Sequence, residues 1–337
     1  MSITPQLGLV CITVSDDVRY RTVTRKRLLQ FSREEQRDKL RELYADNLSR
    51  FNRAIDFCNE RGIKLYRLTS ALFPFADDEA GAPLLDEMAD QMRFVGERAI
   101  ASNLRVVLHP DQFCVLSSDS PHVIANSIKI LETHARIFDL LQQPRSQWAT
   151  MNIHGGKGDR TERLASVIRD LPDNIRLRLA LENDEHAYSS EQILDAATRA
   201  GVPFVFDAHH HVCRECQSSY NHPSIFEMTA AARATWAQSD WQLVHISNGR
   251  EYFNDARHND VITAMPDAYR EVPWIEVEAK KKEIAIDFLR REWPRGRVTA
   301  DSFGQIFCDI EMNASVINTE ADGGSASKVE SGMAVEV

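Results

Sequence analysis

Short apolar, β-branched runs alternate with longer amphipathic stretches eight times along this chain, which confines it to a small set of α/β folds. The runs cover residues 7–13, 63–68, 104–109, 149–154, 176–182, 203–207, 241–245 and 273–278. Helical periodicity predicts helices over residues 35–61, 84–102, 121–141, 160–171, 190–200, 224–237, 260–271 and 281–292. Ser32-Arg-Glu-Glu35 marks the first helix start, since the serine caps a backbone N–H and the glutamate reaches back. Strict alternation is the pattern of βαβ units, and eight of them close a parallel sheet on itself, so the expected fold is an α/β (β/α)8 TIM barrel.

The chain's 337 residues exceed the roughly 250 of such a barrel and leave room for loop insertions. One domain is expected over residues 1–314, followed by a disordered tail over 315–337, where Ala, Gly, Ser and acidic residues replace periodic apolar ones. No run approaches the roughly 20 apolar residues of a membrane helix, and no basic-then-apolar leader opens the chain. The six cysteines lack the dense, regular spacing of a disulfide framework. A soluble cytoplasmic protein is expected.

The chemistry sits where barrel enzymes build their sites, at the C-terminal ends of the strands. Six consecutive runs end in a residue able to bind a transition metal: His109, His154, Glu182, Asp207, His245 and Glu278. A lone histidine or acid at such a place is usually a solvated loop residue, but six at equivalent positions are a pattern. Imidazoles mixed with carboxylates suit Mn, Zn or Fe, whereas Mg and Ca prefer oxygen alone. The set is too large for one catalytic ion, which keeps about three protein ligands. Two or three ions are expected, with Glu182 as the bridging carboxylate. His210, three residues after Asp207, and His258, after the seventh run, extend the set.

Together His109-Pro-Asp-Gln112, Asn152-Ile-His154-Gly-Gly, Leu181-Glu182-Asn-Asp, Phe206-Asp-Ala-His-His210, Val244-His245-Ile-Ser and Glu278-Ala-Lys-Lys-Lys-Glu283 resemble the ultraviolet-damage endonuclease family, relatives of the endonuclease IV metal barrels. The resemblance runs from about Gly8 to Leu289. It implies an enzyme that recognises photoproducts in duplex DNA, cyclobutane pyrimidine dimers and 6-4 photoproducts among them, and cuts the backbone immediately 5′ to them. It also implies that His109, His154 and Glu182 hold one ion, that Glu182, Asp207, His245 and Glu278 hold a second, and that His210 and His258 hold a third. Manganese is the implied metal, with Zn2+, Co2+ or Mg2+ as substitutes. No organic cofactor and no membrane are implied, and a monomer acting on damaged double-stranded DNA, nucleoid-associated in a bacterium, is expected. Gln112 and Phe113 stand where the family usually has the Gln-Tyr that wedges into the duplex. The chain departs from the family in three places: Gly8-Leu-Val-Cys-Ile-Thr13 lacks the usual aromatic and asparagine probes, Leu243 replaces a frequent lysine, and Phe75-Ala-Asp-Asp78 replaces Ser-His.

Forty basic against fifty acidic residues, a net charge of −10, oppose non-specific coating of DNA. What matters is the local field, and basic residues gather in three loops of the expected catalytic face. These hold Arg19, Arg21, Arg25, Lys26 and Arg27, then Lys157 and Arg160, then Lys280, Lys281 and Lys282, and are expected to contact phosphates. His211, Cys213, Cys216 and His222 form a thinner signal, since one Cys-x-x-Cys lacks the second pair of a zinc ribbon. Two other readings share the strand-end pattern. A metal-dependent sugar isomerase or epimerase has less use for a third ion, and a lesion-binding protein that has lost cleavage has no chemical reason to keep eight ligands.

Overall fold

Four-residue runs buried on nearly every position cannot face water on either side, so they form the inner wall of a two-layer fold. A computed structural model describes residues 4–110, 114–299 and 302. Its eight strands are β1 (Gln6–Val10), β2 (Leu65–Leu68), β3 (Arg105–Leu108), β4 (Met151–His154), β5 (Leu179–Glu182), β6 (Phe204–Asp207), β7 (Leu243–Ile246) and β8 (Trp274–Val277). All pair in parallel, each with its sequence neighbour, and β8 closes on β1. The expected TIM barrel is therefore the fold. Gln112, Phe113 and the expected tail lie outside the described residues.

The outer layer comprises α1 (Arg25–Leu28), α2 (Arg33–Glu60), α3 (Ala82–Glu87), α4 (Ala89–Ala101), α5 (Pro121–Leu140), α6 (Thr161–Arg169), α7 (Asp173–Arg176), α8 (Ser190–Ala200), α9 (Ala208–Arg214), α10 (Pro223–Ala234) and α11 (Lys282–Glu292). The predicted start of α2 is borne out: Ser32 Oγ accepts from Glu35 N at 3.3 Å, and Glu35 Oε2 accepts from Ser32 N at 2.8 Å. Three expectations are corrected. The helix over 84–102 divides at Met88, which leaves helical geometry at φ −103° and ψ 5°. Residues 176–178 do not extend β5, because Pro172 opens the short helix α7 that ends at Arg176. Residues 260–271 form only a 3-10 turn over Asp267–Glu271. There Asn248 Oδ1 takes the N–H groups of Thr263 and Ala264 at 2.6 and 2.9 Å, in place of helical carbonyls, and Pro266 brings no N–H at all.

Side chains two apart on a strand face the same way, so the barrel interior is layered. Leu65, Val107, Ala180, Val205 and Leu243 form a separate apolar cluster, each two residues before an inward residue of the upper layer. Leu243, which stands in place of the family's frequent lysine, is a fully buried member of this layer. Gly8 lines the same level, where an added Cβ would come within 2.5 Å of Leu65 Cδ2. Below lies Arg105, fully buried, with its guanidinium 4.8, 5.3 and 5.6 Å from the ring centres of Trp148, Trp274 and Trp236. It donates to the carbonyls of Trp148, Trp241 and Gln147. This cation and its tryptophans fill the floor beneath the apolar layer.

His134 on α5 offers a check on the packing of the outer layer. Burial alone pushes its imidazole down to about 4, and its Nδ1 has no hydrogen-bond partner among the described residues. Above pH 6.5 the ring is neutral folded and unfolded; as pH falls toward 4 only the unfolded chain takes the proton, so stability is lost across that window. His134→Leu is expected to shrink the stability difference between pH 7 and pH 5 by about 2 kcal/mol in urea titrations. An unchanged difference would show that the ring is not buried in this way.

Candidate metal centre at the barrel mouth

The strands bring six of the expected ligands to one rim. His154, Glu182 and Asp207 are the last residues of β4, β5 and β6, His109 and Glu278 lie one residue beyond β3 and β8, and His245 is the third residue of β7. Three groups have ligand atoms mutually within 4.8 Å: His109, His154 and Glu182; Glu182, Asp207 and His210; and Asp207, His245 and Glu278. Glu182 and Asp207 are shared, so the groups form one continuous cluster. His258 stands at its edge, with Nδ1 3.6 Å from Glu278 Oε2. His210 and His258, which the resemblance implies share an ion, have ring centres 6.2 Å apart, and His210 also lies 3.4 Å from Glu182 Oε1.

Glu182 is 1% exposed and surrounded by nitrogen. His245 Nδ1 lies 3.0 Å from Oε1, His109 Nε2 3.3 Å from Oε2, and Asn152 Nδ2 donates to Oε2. Burial pushes this carboxyl up, but His245 and His154 outweigh it and hold the group far below the usual carboxylate range. Asp207 caps α9, with Oδ1 accepting from the backbone of His209 and His210 at 2.7 and 2.9 Å. Asn183 clamps the Asp207 backbone through two hydrogen bonds of 2.9 Å. That geometry turns Asp207 Oδ2 into the cluster, buried and without a hydrogen-bond partner among the described residues.

His154 Nδ1 is likewise buried without a partner. Burial pushes that imidazole down, so it is kept as the neutral, lone-pair form that binds metal. His109 Nδ1 faces the Pro110 carbonyl at 3.0 Å, and His210 Nδ1 the Asn183 carbonyl at 2.9 Å. In His109 that carbonyl sets the tautomer and leaves Nε2, 3.3 Å from Glu182 Oε2, for a ligand; in His210 the same Nδ1 also lies 3.4 Å from Glu182 Oε1. Buried polar atoms without partners are costly. The donor set therefore fits divalent transition ions.

Two site residues escaped the sequence reading. Arg67 on β2 places Nη2 2.7 Å from Glu276 Oε2, 2.5 Å from Glu278 Oε1 and 3.0 Å from His245 Nε2. Glu276 on β8, 1% exposed, also contacts His245 Nε2. Burial pushes Glu276 up, but Arg67 and His245 bring it down to about 2. The signal was present in Leu65-Tyr-Arg-Leu68 and Trp274-Ile-Glu-Val277, where a charge interrupts a buried strand two residues from a position on the same inward face.

The rim cations divide into two kinds. Lys157 and Arg160 both pair with Asp119, at 2.5 and 3.2 Å, joined by Arg163 at 3.3 Å, so one carboxylate serves three cations. Arg25 pairs with Asp78 at 2.7 Å. Lys26, Arg27 and Lys280 have no ion-pair partner among the described residues. Lys280 lines the mouth with Arg250, Arg257 and His258 around a cavity of about 430 Å3. The cysteine pair does not join a metal group: His211 is held between Ser190 Oγ and Ser224 Oγ at 2.9 and 2.8 Å, while Cys216 is exposed.

A closed parallel barrel with imidazoles and carboxylates converging at its mouth defines a TIM-barrel protein equipped for divalent metal. Comparison narrows the class. The family described as UV-endonuclease UvdE matches residues 5–299. The UV DNA damage endonuclease of Nostoc sp. (strain PCC 7120) is 54% identical over 295 residues, 87% of this chain and 92% of that protein. That of Deinococcus radiodurans is 47% identical over 289 residues, 85% of this chain and 95% of that protein. The chain belongs to the UV-endonuclease family, whose members are endonucleases of DNA repair. The crystal structure of SacUVDE shares the fold, at a TM-score of 0.67 and 22% identity over 85% of this chain and 98% of that one. Endonuclease IV from Thermus thermophilus does so at 0.54 and 12%, over 86% of this chain and 100% of that one.

Removing one member of a buried charge network strands the others in low dielectric. Arg67→Leu is expected to destabilise the chelator-treated protein by about 3–5 kcal/mol, with part of the loss recovered on adding Mn2+. A urea midpoint unchanged in chelator would mean that Arg67 is not the counter-charge of Glu276 and Glu278.

Proposed function

We propose that this chain is a metal-dependent endonuclease that incises damaged duplex DNA immediately 5′ to ultraviolet photoproducts, cyclobutane pyrimidine dimers and 6-4 photoproducts included. The reading is carried by three ligand groups joined through Glu182 and Asp207 in a chain of this family. His109, His154 and Glu182 would hold one ion; Asp207, His245 and Glu278 a second; and His210, between Glu182 and Asp207, a third, with His258 completing the edge. Manganese is the proposed metal, with zinc, cobalt or magnesium as substitutes. When bound, such ions lower the pKa of a shared water and neutralise charge on the departing oxygen.

The chain's own groups do the rest. Asn152 and His245 fix the Glu182 carboxylate in one rotamer, so its two oxygens face different ligand groups. Arg67 keeps Glu276 and Glu278 ionised beneath the mouth, and the apolar layer below excludes water from that side. Lys280 and Arg250 rim the cavity where a phosphate would enter, and Lys26 and Arg27 offer further exposed charge. Gln112 and Phe113 are proposed as the wedge that probes the damaged pair, with Lys157 and Arg160 on the backbone beside it. The chain is proposed to act as a monomer without an organic cofactor.

A 5′-labelled duplex carrying one thymine cyclobutane dimer, incubated with Mn2+, is expected to be cut one bond 5′ to the dimer. Glu182→Gln should slow the cut on the order of 100-fold or more, and an undamaged duplex should stay intact. A wild-type protein that folds and binds Mn2+ yet leaves the dimer strand whole would sink the reading. Lys26→Glu with Arg27→Glu should weaken binding and lower the slope of log affinity against log salt by about 0.9 for each phosphate no longer neutralised. An unchanged slope would remove α1 from the footprint.

A further inference from the structure

Two adjacent aromatic side chains stand in solvent at the mouth of the barrel with nothing in the proposed chemistry to use them. Tyr252 is 59% and Phe253 42% exposed. Both lie at the tip of a hairpin that leaves β7 and is closed by an antiparallel bridge between Gly249 and His258. The hairpin is cross-braced by its own hydrogen bonds. Asp255 accepts from the backbone of Glu251 and Arg257 at 3.1 and 3.0 Å and from the Arg257 guanidinium at 2.9 Å. A Cβ on Gly249 would meet Tyr252 O at 2.1 Å, so the turn folds tightly back on its own base.

The same hairpin is wired to the ligand cluster. His209 Nε2 lies 2.9 Å from the Asp255 carbonyl, and its Nδ1 2.6 Å from Tyr220 Oη. The Tyr220 ring packs edge-on against Phe253 at 5.1 Å. His209 precedes His210 on α9, and His258 ends the hairpin beside Glu278. Position and charge together specify the occupant: Arg250 and Lys280 line the cavity beside His258, so a polyanion carrying flat apolar rings fits the surface. Exposed aromatics next to unpaired cations are what a nucleic acid strand with an unstacked base requires.

We propose that this hairpin is a second DNA-contacting element, with Tyr252 and Phe253 forming a platform on which a base exposed beside the lesion stacks. The inference rests on the proposed action on damaged DNA. It assigns to this chain an aromatic surface on the β7 side of the mouth, separated only by β8 from the β1 loop, where the expected aromatic and asparagine probes are missing.

The test measures binding of Mn2+-loaded protein to a dimer-containing duplex with 2-aminopurine beside the lesion, against the undamaged duplex. Tyr252→Ala is expected to weaken binding of the damaged duplex about tenfold or more, to abolish the fluorescence change of 2-aminopurine, and to leave metal content and the undamaged affinity unchanged. Tyr252→Trp should restore both signals, and Phe253→Leu, which keeps an apolar contact with Tyr220, should show an intermediate loss. Binding by Tyr252→Ala within twofold of wild type, or an equal loss on both duplexes, would overturn the platform. A wild-type protein with no preference for the damaged duplex would overturn the damage reading as well.

Discussion

The centre of this protein depends on holding several carboxylates ionised in a largely buried space. Glu182, Asp207, Glu276 and Glu278 are all nine-tenths or more buried or at the very lip of the barrel, and bringing them together costs free energy through desolvation and mutual repulsion. Arg67 stands among Glu276, Glu278 and His245, imidazoles surround Glu182, and backbone N–H groups take Asp207 Oδ1. What these do not satisfy is Asp207 Oδ2 and His154 Nδ1, the two buried atoms that a divalent ion would complete. The barrel supports this arrangement from below, where apolar residues and the tryptophan-caged Arg105 close the floor.

Much of this was legible in the chain. Eight strands read correctly because each is a short apolar run between helical stretches, a local signal that tertiary context does not override. The convergence of six candidate ligands at the strand ends was visible for the same reason: the strand's end dictates which side chain meets the mouth. What periodicity could not show was division of the cluster. The resemblance implies that His210 shares an ion with His258, and the cap that Asp207 places on α9 also brings His210 within 3.4 Å of Glu182. Arg67 and Glu276 went unseen because each looks, in its own strand, like an isolated charge, and only the register of β2, β1 and β8 brings them together. Residues 260–271 read as helix because Val261, Ile262 and Met265 are spaced for burial, and they are buried. Asn248 achieves that burial by a loop that no local pattern announces.

The acidic balance of the chain and its proposed partner are reconciled by the same geometry. Several acids are withdrawn into the barrel, and others are consumed by cations around them, as Asp119 is by Lys157, Arg160 and Arg163. The mouth keeps Lys280 and Arg250 without ion-pair partners among the described residues, so cations remain there for a phosphate to meet whatever the net charge of the chain. Leu243 and the β1 loop, where the chain departs from the family's pattern, are not members of the described ligand groups.

Metal stoichiometry tests the shared-ligand arrangement most directly. Purified protein equilibrated with Mn2+ and assayed by elemental analysis should hold more than one ion per chain, and Asp207→Asn, which alters a carboxylate common to two groups, should lose more than one site while the barrel remains folded. Loss of a single ion, or a wild-type chain that binds only one, would contradict a continuous cluster joined through Glu182 and Asp207.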